Sequence, residues 1–207
     1  MTARGGAAFG SILSPLSALC KRHRPLRYNA PMQAYFMRHG QTEYNIQALC
    51  NDDPGRDVRL TELGVRQAQA AAERLRGVPL ARILVSELPR TRQTGEIVNR
   101  YHNVPIETHA AINDIRSGFD GRPVIEYQRA IAHDPLHAAV NGGESLLAHK
   151  ARVMGFLGWL ESLDETALLV VAHEETLRVV AARYRGLDDD AMRAVSIANA
   201  EVWRFDL

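Results

Sequence analysis

Arg38 and His39 in tandem, a second arginine at Arg90 and a second histidine at His173 are the residues of this chain best suited to work on a phosphate. Imidazole can attack phosphorus as a nucleophile, and the guanidinium fork can hold two phosphate oxygens at once. Gly40, directly after His39, would let backbone N–H groups approach those oxygens. The tripeptide alone is a weak signal, because a surface turn after a core strand reads the same way. Its position strengthens it. Short apolar runs at residues 34–37, 81–85 and 167–172 read as strands, and each is followed by one of these groups. In an open α/β sheet, right-handed crossovers bring such strand ends to one carboxyl edge, where ligands bind.

The segments between the strands must hold that edge in place. The loop 46–59 is rich in Asn, Asp, Pro and Gly, and is long enough to wall an active site. Thr61 is an expected N-cap for a helix with Ala68, Ala71, Ala72 and Leu75 as its buried stripe and Gly77 as its stop. Pro89 suits the first turn of a helix running to about Tyr101, which sets Arg90 at the amino end, where a cation opposes the dipole unless an anion comes to meet it. Residues 104–108 read as an edge strand, 112–121 as a loop carrying Asp114, 123–132 as a modest helix and 133–143 as irregular. The strongest helical pattern covers 144–163, with Val153, Phe156, Leu157 and Leu160 at i, i+3, i+4 and i+7. Residues 167–172 form a continuous apolar run, as at the centre of a parallel sheet covered on both faces. Glu174 and Glu175 then open a helix with the acid its amino end favours. A short helix at 188–195 and a closing strand at 198–205 complete the chain. The alternation predicts an α/β fold, a three-layer sandwich with a mainly parallel central sheet.

With 207 residues and 46% hydrophobic content, the chain suits one domain at 32–207 behind an extension at 1–31. That extension contains Arg and Ser but no acid, and reads as a disordered tail or a start placed upstream of Met32 in preference to an organelle transit peptide. Its five cations leave residues 34–207 with 20 cations against 24 anions, so a phosphate site must concentrate its arginines locally. No apolar run reaches the ~18 residues of a membrane span. Cys20 and Cys50 make no metal or redox spacing, which points to a reducing compartment, the cytoplasm.

Five segments in order resemble the histidine phosphatase superfamily, in its phosphoglycerate mutase-like branch. They are Arg-His-Gly-Gln-Thr-Glu-Tyr-Asn at 38–45, Leu-Thr-Glu-Leu-Gly-x-x-Gln-Ala at 60–68, Ser-x-Leu-x-Arg-x-x-Gln-Thr at 86–94, Gly-Gly-Glu-Ser at 142–145 and the apolar strand into His173. The resemblance implies a metal-independent phosphatase that hydrolyses phosphomonoesters through a phosphohistidine on His39, with no cofactor. It implies that Arg38, Arg90 and a cationic His173 hold the transferring phosphoryl group, and that Gln41, Thr42 and Asn45 add neutral donors. Thr42 and Asn45 also have a plain reading as turn builders. The family places a glutamate where Asp114 stands, so Asp114 is the expected proton donor. Glu174, where glycine is common, is the alternative donor and a candidate substrate contact.

Arg66, Arg92 and Arg178 lie within helices and read as solvated or structural, and the remaining histidines as ordinary surface or loop residues. Alternatives to hydrolysis are a mutase and a non-catalytic binding module. The 59 positions from Asp114 to His173 and a chain ending on its closing strand favour a phosphatase over the longer mutases. The expected partner is a small phosphorylated substrate, without nucleic acid or membrane, and a homodimer is left open. Specificity is assigned to residues 46–59 and 116–143.

Overall fold

Apolar residues at both alternating positions make a strand that can be covered on both faces. β1 (Gln33–Arg38) and β4 (Ala167–Ala172) are of this kind, and they pair in parallel with Gln33 opposite Ala167 and Arg38 opposite Ala172. The computed structural model describes residues 31–207, so the proposed extension lies, but for Pro31, outside the described residues. β2 (Arg82–Val85) lies on the other side of β4, and the three-residue β3 (Ile106–Thr108) on the outer side of β2, all parallel. β5 (Val202–Asp206) runs antiparallel to β1 and closes the order β3-β2-β4-β1-β5.

One face of the sheet buries Ala34, Phe36, Leu168 and Val170 beneath α5 (Leu146–Glu161) and α6 (Glu174–Arg185). The other buries Tyr35, Met37, Leu169 and Val171 beneath α2 (Glu62–Leu75) and α3 (Pro89–Asn99). The expected three-layer α/β sandwich is therefore the observed fold. Thr61 caps α2 through Gly64 N–H, and Ser145 caps α5 through Ala148 N–H. The apolar stripes read from the sequence are the buried ones in both helices.

Several details differ. The segment expected to be loop from residue 46 begins inside α1 (Glu43–Gln47), a single turn too short for periodicity to reveal. The closing strand starts at Val202 rather than Ala198, because Ala200 takes φ 60° and its N–H bonds to the carbonyls of Arg38 and His39. The 3-10 turn Ala110–Ile112 leads into the loop that carries Asp114. Beyond α4 (Val124–Ile131), α7 (Asp189–Ala194) packs after α6.

Candidate active site

Parallel pairing puts the residues after β1, β2 and β4 side by side, and Arg90 ties them together. Its side chain is 2% exposed. Nε donates to His39 Nε2 at 3.0 Å, while Nη2 lies 2.8 Å from each of His173 Nδ1, Asp114 Oδ2 and the Asn51 carbonyl. A guanidinium can only donate, so both ring nitrogens facing it are lone pairs. His39 therefore carries its proton on Nδ1, donating to the Gly40 carbonyl at 2.8 Å, and His173 on Nε2, facing Ser86 Oγ at 2.9 Å. Burial, then the charge of Arg90, holds His39 well below the ordinary histidine range. Burial, Arg90 and His39 do the same for His173. The expected positive charge on His173 is thus disfavoured in this unliganded site, because burial and the neighbouring Arg90 guanidinium both oppose it. The two rings stand 5.3 Å apart between centroids.

Arg38 turns its Nη1 to the Ile197 carbonyl at 2.5 Å and to Glu174 Oε2 at 2.7 Å. Glu174 also meets Arg178 Nη2 at 2.9 Å, so its carboxylate is committed to two guanidiniums. Arg38 Nε and Arg90 Nη1 are buried without a hydrogen-bond partner among the described residues, an arrangement that costs free energy unless an anion enters.

Asp114 stands opposite, 3.5 Å from His173 Nδ1 as well as bonded to Arg90. Burial and the negative charge of Glu175 push it well above the usual carboxylate range, against the pull of Arg90. Burial acts on Glu175 in the same sense, but Arg178 and a hydrogen bond with Asp114 hold Glu175 below its ordinary value. The two carboxyls titrate as a pair, with Asp114 favoured to hold the proton. The loop bearing Asp114 is fixed from behind. Arg152 donates to the carbonyls of Ala111 and Asn113 at 3.0 and 3.2 Å, and pairs with Glu144, which accepts from Arg116 N–H at 3.1 Å. His149, read as an ordinary surface or loop histidine, is instead fully buried beside this pair, with Nδ1 2.8 Å from Arg152.

Asn45 lines the cavity. Its carbonyl oxygen accepts from the Thr42 N–H, the Thr42 hydroxyl and Asn199, leaving the NH2 as the group it can offer. Thr42 is fully buried and forms a reciprocal capping box with Asn45, and Gln41 accepts from the Thr61 hydroxyl while its N–H meets Gln67. Neither Gln41 nor Thr42 lines the cavity. Gly40 also has a different office from the one expected. A Cβ there would stand 2.5 Å from the Gly64 carbonyl oxygen, so glycine permits α2 to pack against the loop, and its N–H goes to Thr94. Arg66 and Arg92 are exposed partners of Glu62 and Glu96, whereas Arg178 reaches the cavity wall.

The cavity holds about 450 Å³ and is walled by residues 49–51 and by α4, both within the segments expected to set specificity. Glu175 and Asn51 were not read from the sequence as site residues. In sequence, the acid after Glu174 is ordinary charge at a helix start, and Asn51 is one more polar residue in a loop. Asn199, whose amide donates to the His39 carbonyl at 3.1 Å, comes from the far end of the chain with no local signal.

The sequence profile of the histidine phosphatase superfamily (branch 1) matches residues 34–207. The chain is 29% identical over 164 residues to the adenosylcobalamin/alpha-ribazole phosphatase of Salmonella typhimurium, covering 73% of this chain and 79% of that protein. It is 27% identical over 184 residues to a Proteus mirabilis protein named "Probable phosphoglycerate mutase GpmB", covering 84% and 85%. The crystal structure of the alpha-ribazole phosphatase from Shigella flexneri matches with a TM-score of 0.77 at 25% identity, over 85% of this chain and 91% of that one. Phosphatases and mutases both stand among these relatives, and phosphoryl transfer is common to them. The chain belongs to the histidine phosphatase superfamily, branch 1.

Proposed function

We propose that the protein is a metal-independent phosphatase that hydrolyses phosphomonoesters through a phosphohistidine on His39. The observation that carries this reading is His39 Nε2 accepting from the buried Arg90 at the cavity, with Asp114 bonded to the same guanidinium at 2.8 Å. When a phosphomonoester enters, the partnerless Arg38 Nε and Arg90 Nη1 are the donors to its equatorial oxygens. His39 Nε2 forms the N–P bond as the ester P–O bond breaks, and Asp114 passes its proton to the departing alkoxide. Water then attacks phosphorus and gives a proton back to Asp114. The N–P bond breaks, leaving inorganic phosphate and neutral His39.

Asp114 is preferred to Glu174 as the acid, because Glu174 already serves as counter-charge to Arg38 and Arg178. Glu174 lines the cavity, but as a partner of the clamp rather than a contact to phosphate. The test uses p-nitrophenyl phosphate in the presence of EDTA. Phosphate release, with an acid-labile phosphoryl group trapped on residue 39 and lost in His39→Ala, is the expected result. Release that requires an added metal, or labelling elsewhere, overturns it. The mutase reading draws on the likeness to the Proteus protein. Incubation with 3-phosphoglycerate distinguishes it, since a mutase interconverts isomers without releasing phosphate.

A further inference from the structure

α4 is an amphipathic helix whose apolar face has not found a core. None of its residues is fully buried, yet Val124, Tyr127 and Ile131 fall at i, i+3 and i+7 and all line the cavity, joined there by Leu49, Pro135 and Leu146. We propose that this wall is a subsite for the leaving group, and that it takes an uncharged, ring-bearing alcohol in preference to a carboxylated one. The inference rests on the phosphatase reading above and specifies its substrate class.

Two further observations lead to the same chemistry. The first is charge. Arg38, Arg90, Arg178 and Arg193 line the cavity against the carboxyls of Glu174, Glu175 and Asp114. Even with a proton on Asp114, four positive charges against two negative leave two, which one phosphomonoester dianion neutralises. Arg193 is also drawn outward by Asp190 at 3.4 Å. Among the described residues lining the cavity no cation remains for a second anionic group, and Glu174 and Glu175 would repel one. The second is Asn51. Its carbonyl accepts from Arg90, which places it beside the phosphate clamp, and both polar atoms of its side chain are buried without a partner among the described residues. A carboxamide can satisfy a neutral donor or acceptor on a ring, and its present state is costly. The volume of about 450 Å³ lies within the ~300–1,000 Å³ typical of sites for small organic ligands.

Non-hydrolysable phosphonates separate this proposal from the chemistry. Calorimetry compares methylphosphonate, benzylphosphonate and 3-phosphonopropionate on the full chain and on Ile131→Ser, a half-buried site whose replacement leaves the core intact. Benzylphosphonate is expected to bind at least ~10-fold more tightly than either of the others, an advantage of the size that added apolar groups bring in a fitted pocket. Most of that advantage should vanish in Ile131→Ser, with methylphosphonate unchanged. Equal or tighter binding of 3-phosphonopropionate overturns the proposal, as does a benzyl preference that survives Ile131→Ser or the failure of all three to bind. The failures are distinguishable. Selective benzyl binding without phosphate release from any ester removes the phosphatase and leaves the subsite. Phosphate release at equal kcat/KM from methyl, benzyl and carboxylated esters does the reverse.

Discussion

The Nε–H of Arg90 points at the lone pair of His39 Nε2 from 3.0 Å, so the buried arginine is hydrogen-bonded to the atom proposed to attack phosphorus. One guanidinium thereby fixes the tautomer of the nucleophile, depresses its pKa and reaches His173 and Asp114 with its other arm. An incoming phosphoryl group must displace the first of these bonds while keeping the cation nearby. Arg90→Lys retains the charge but cannot span the four groups that Arg90 meets, and removing a single preorganised donor commonly costs ~10²–10³ in kcat. A loss of about that size is expected in single-turnover assays. Arg90→Gln removes the charge that helps to depress His39, so the histidine pKa should rise and the acidic limb of kcat/KM move to higher pH. An unchanged limb would show that burial alone sets the protonation state.

Glu175 supplies a second pH signature. Its negative charge raises the pKa of Asp114. Glu175→Gln removes that charge while leaving a group able to hydrogen-bond, so Asp114 should lose its proton at lower pH. The basic limb of kcat, above which the acid is spent, is expected to move down. Asp114→Asn should abolish that limb and reduce turnover most for esters with poor leaving groups, whereas Glu174→Gln should keep it. A basic limb that vanishes only in Glu174→Gln would reverse the assignment.

Two strand ends could be read from composition because the apolar run stops abruptly at a charged residue or a histidine, as 34–37 does at Arg38-His39 and 167–172 at His173. Parallel pairing then made their meeting a matter of topology. Side-chain direction was less legible. Thr42 sits in the same motif as His39, yet it turns inward to cap α1. Gly40 was assigned to a ligand when its constraint is the backbone of Gly64, which is 24 positions away. The neutrality of His173 depends on burial, and the importance of Glu175 on its distance from Asp114. Neither quantity exists until the helices are in place.

The support behind Asp114 should fail in acid before the rest of the fold. Burial opposes ionisation of Glu144, but the neighbouring His149 and hydrogen bonds from Arg152 and the Arg116 N–H overcome it and take the carboxyl from an ordinary 4.5 to about 2. A carboxylate with a depressed folded-state pKa stabilises above its unfolded pKa and loses that contribution as pH falls through the folded one. The window is therefore from about 4.5 down to about 2. At about 1.4 kcal/mol per unit, the contribution is on the order of 3 kcal/mol. Glu144→Gln should lower the thermal midpoint at pH 7 and flatten its dependence below pH 4.5. Equal slopes for both proteins would mean that Glu144 stabilises nothing through its charge.

Glu174 occupies one arm of Arg38 at 2.7 Å and of Arg178 at 2.9 Å, in the same cavity that phosphate is proposed to enter. It is an anion held where another anion must bind, so it can act in two ways with opposite signatures. If it competes for Arg38, Glu174→Gln should tighten competitive inhibition by inorganic phosphate roughly fivefold, the order expected of an ion pair worth ~1 kcal/mol. If it aims Arg38 instead, the same change should weaken phosphate. Competition is the expected result. Arg38 has a second anchor in the Ile197 carbonyl at 2.5 Å and so keeps its direction when the carboxylate is gone. The inhibition constant of phosphate against p-nitrophenyl phosphate, measured for both proteins at low ionic strength, gives the sign.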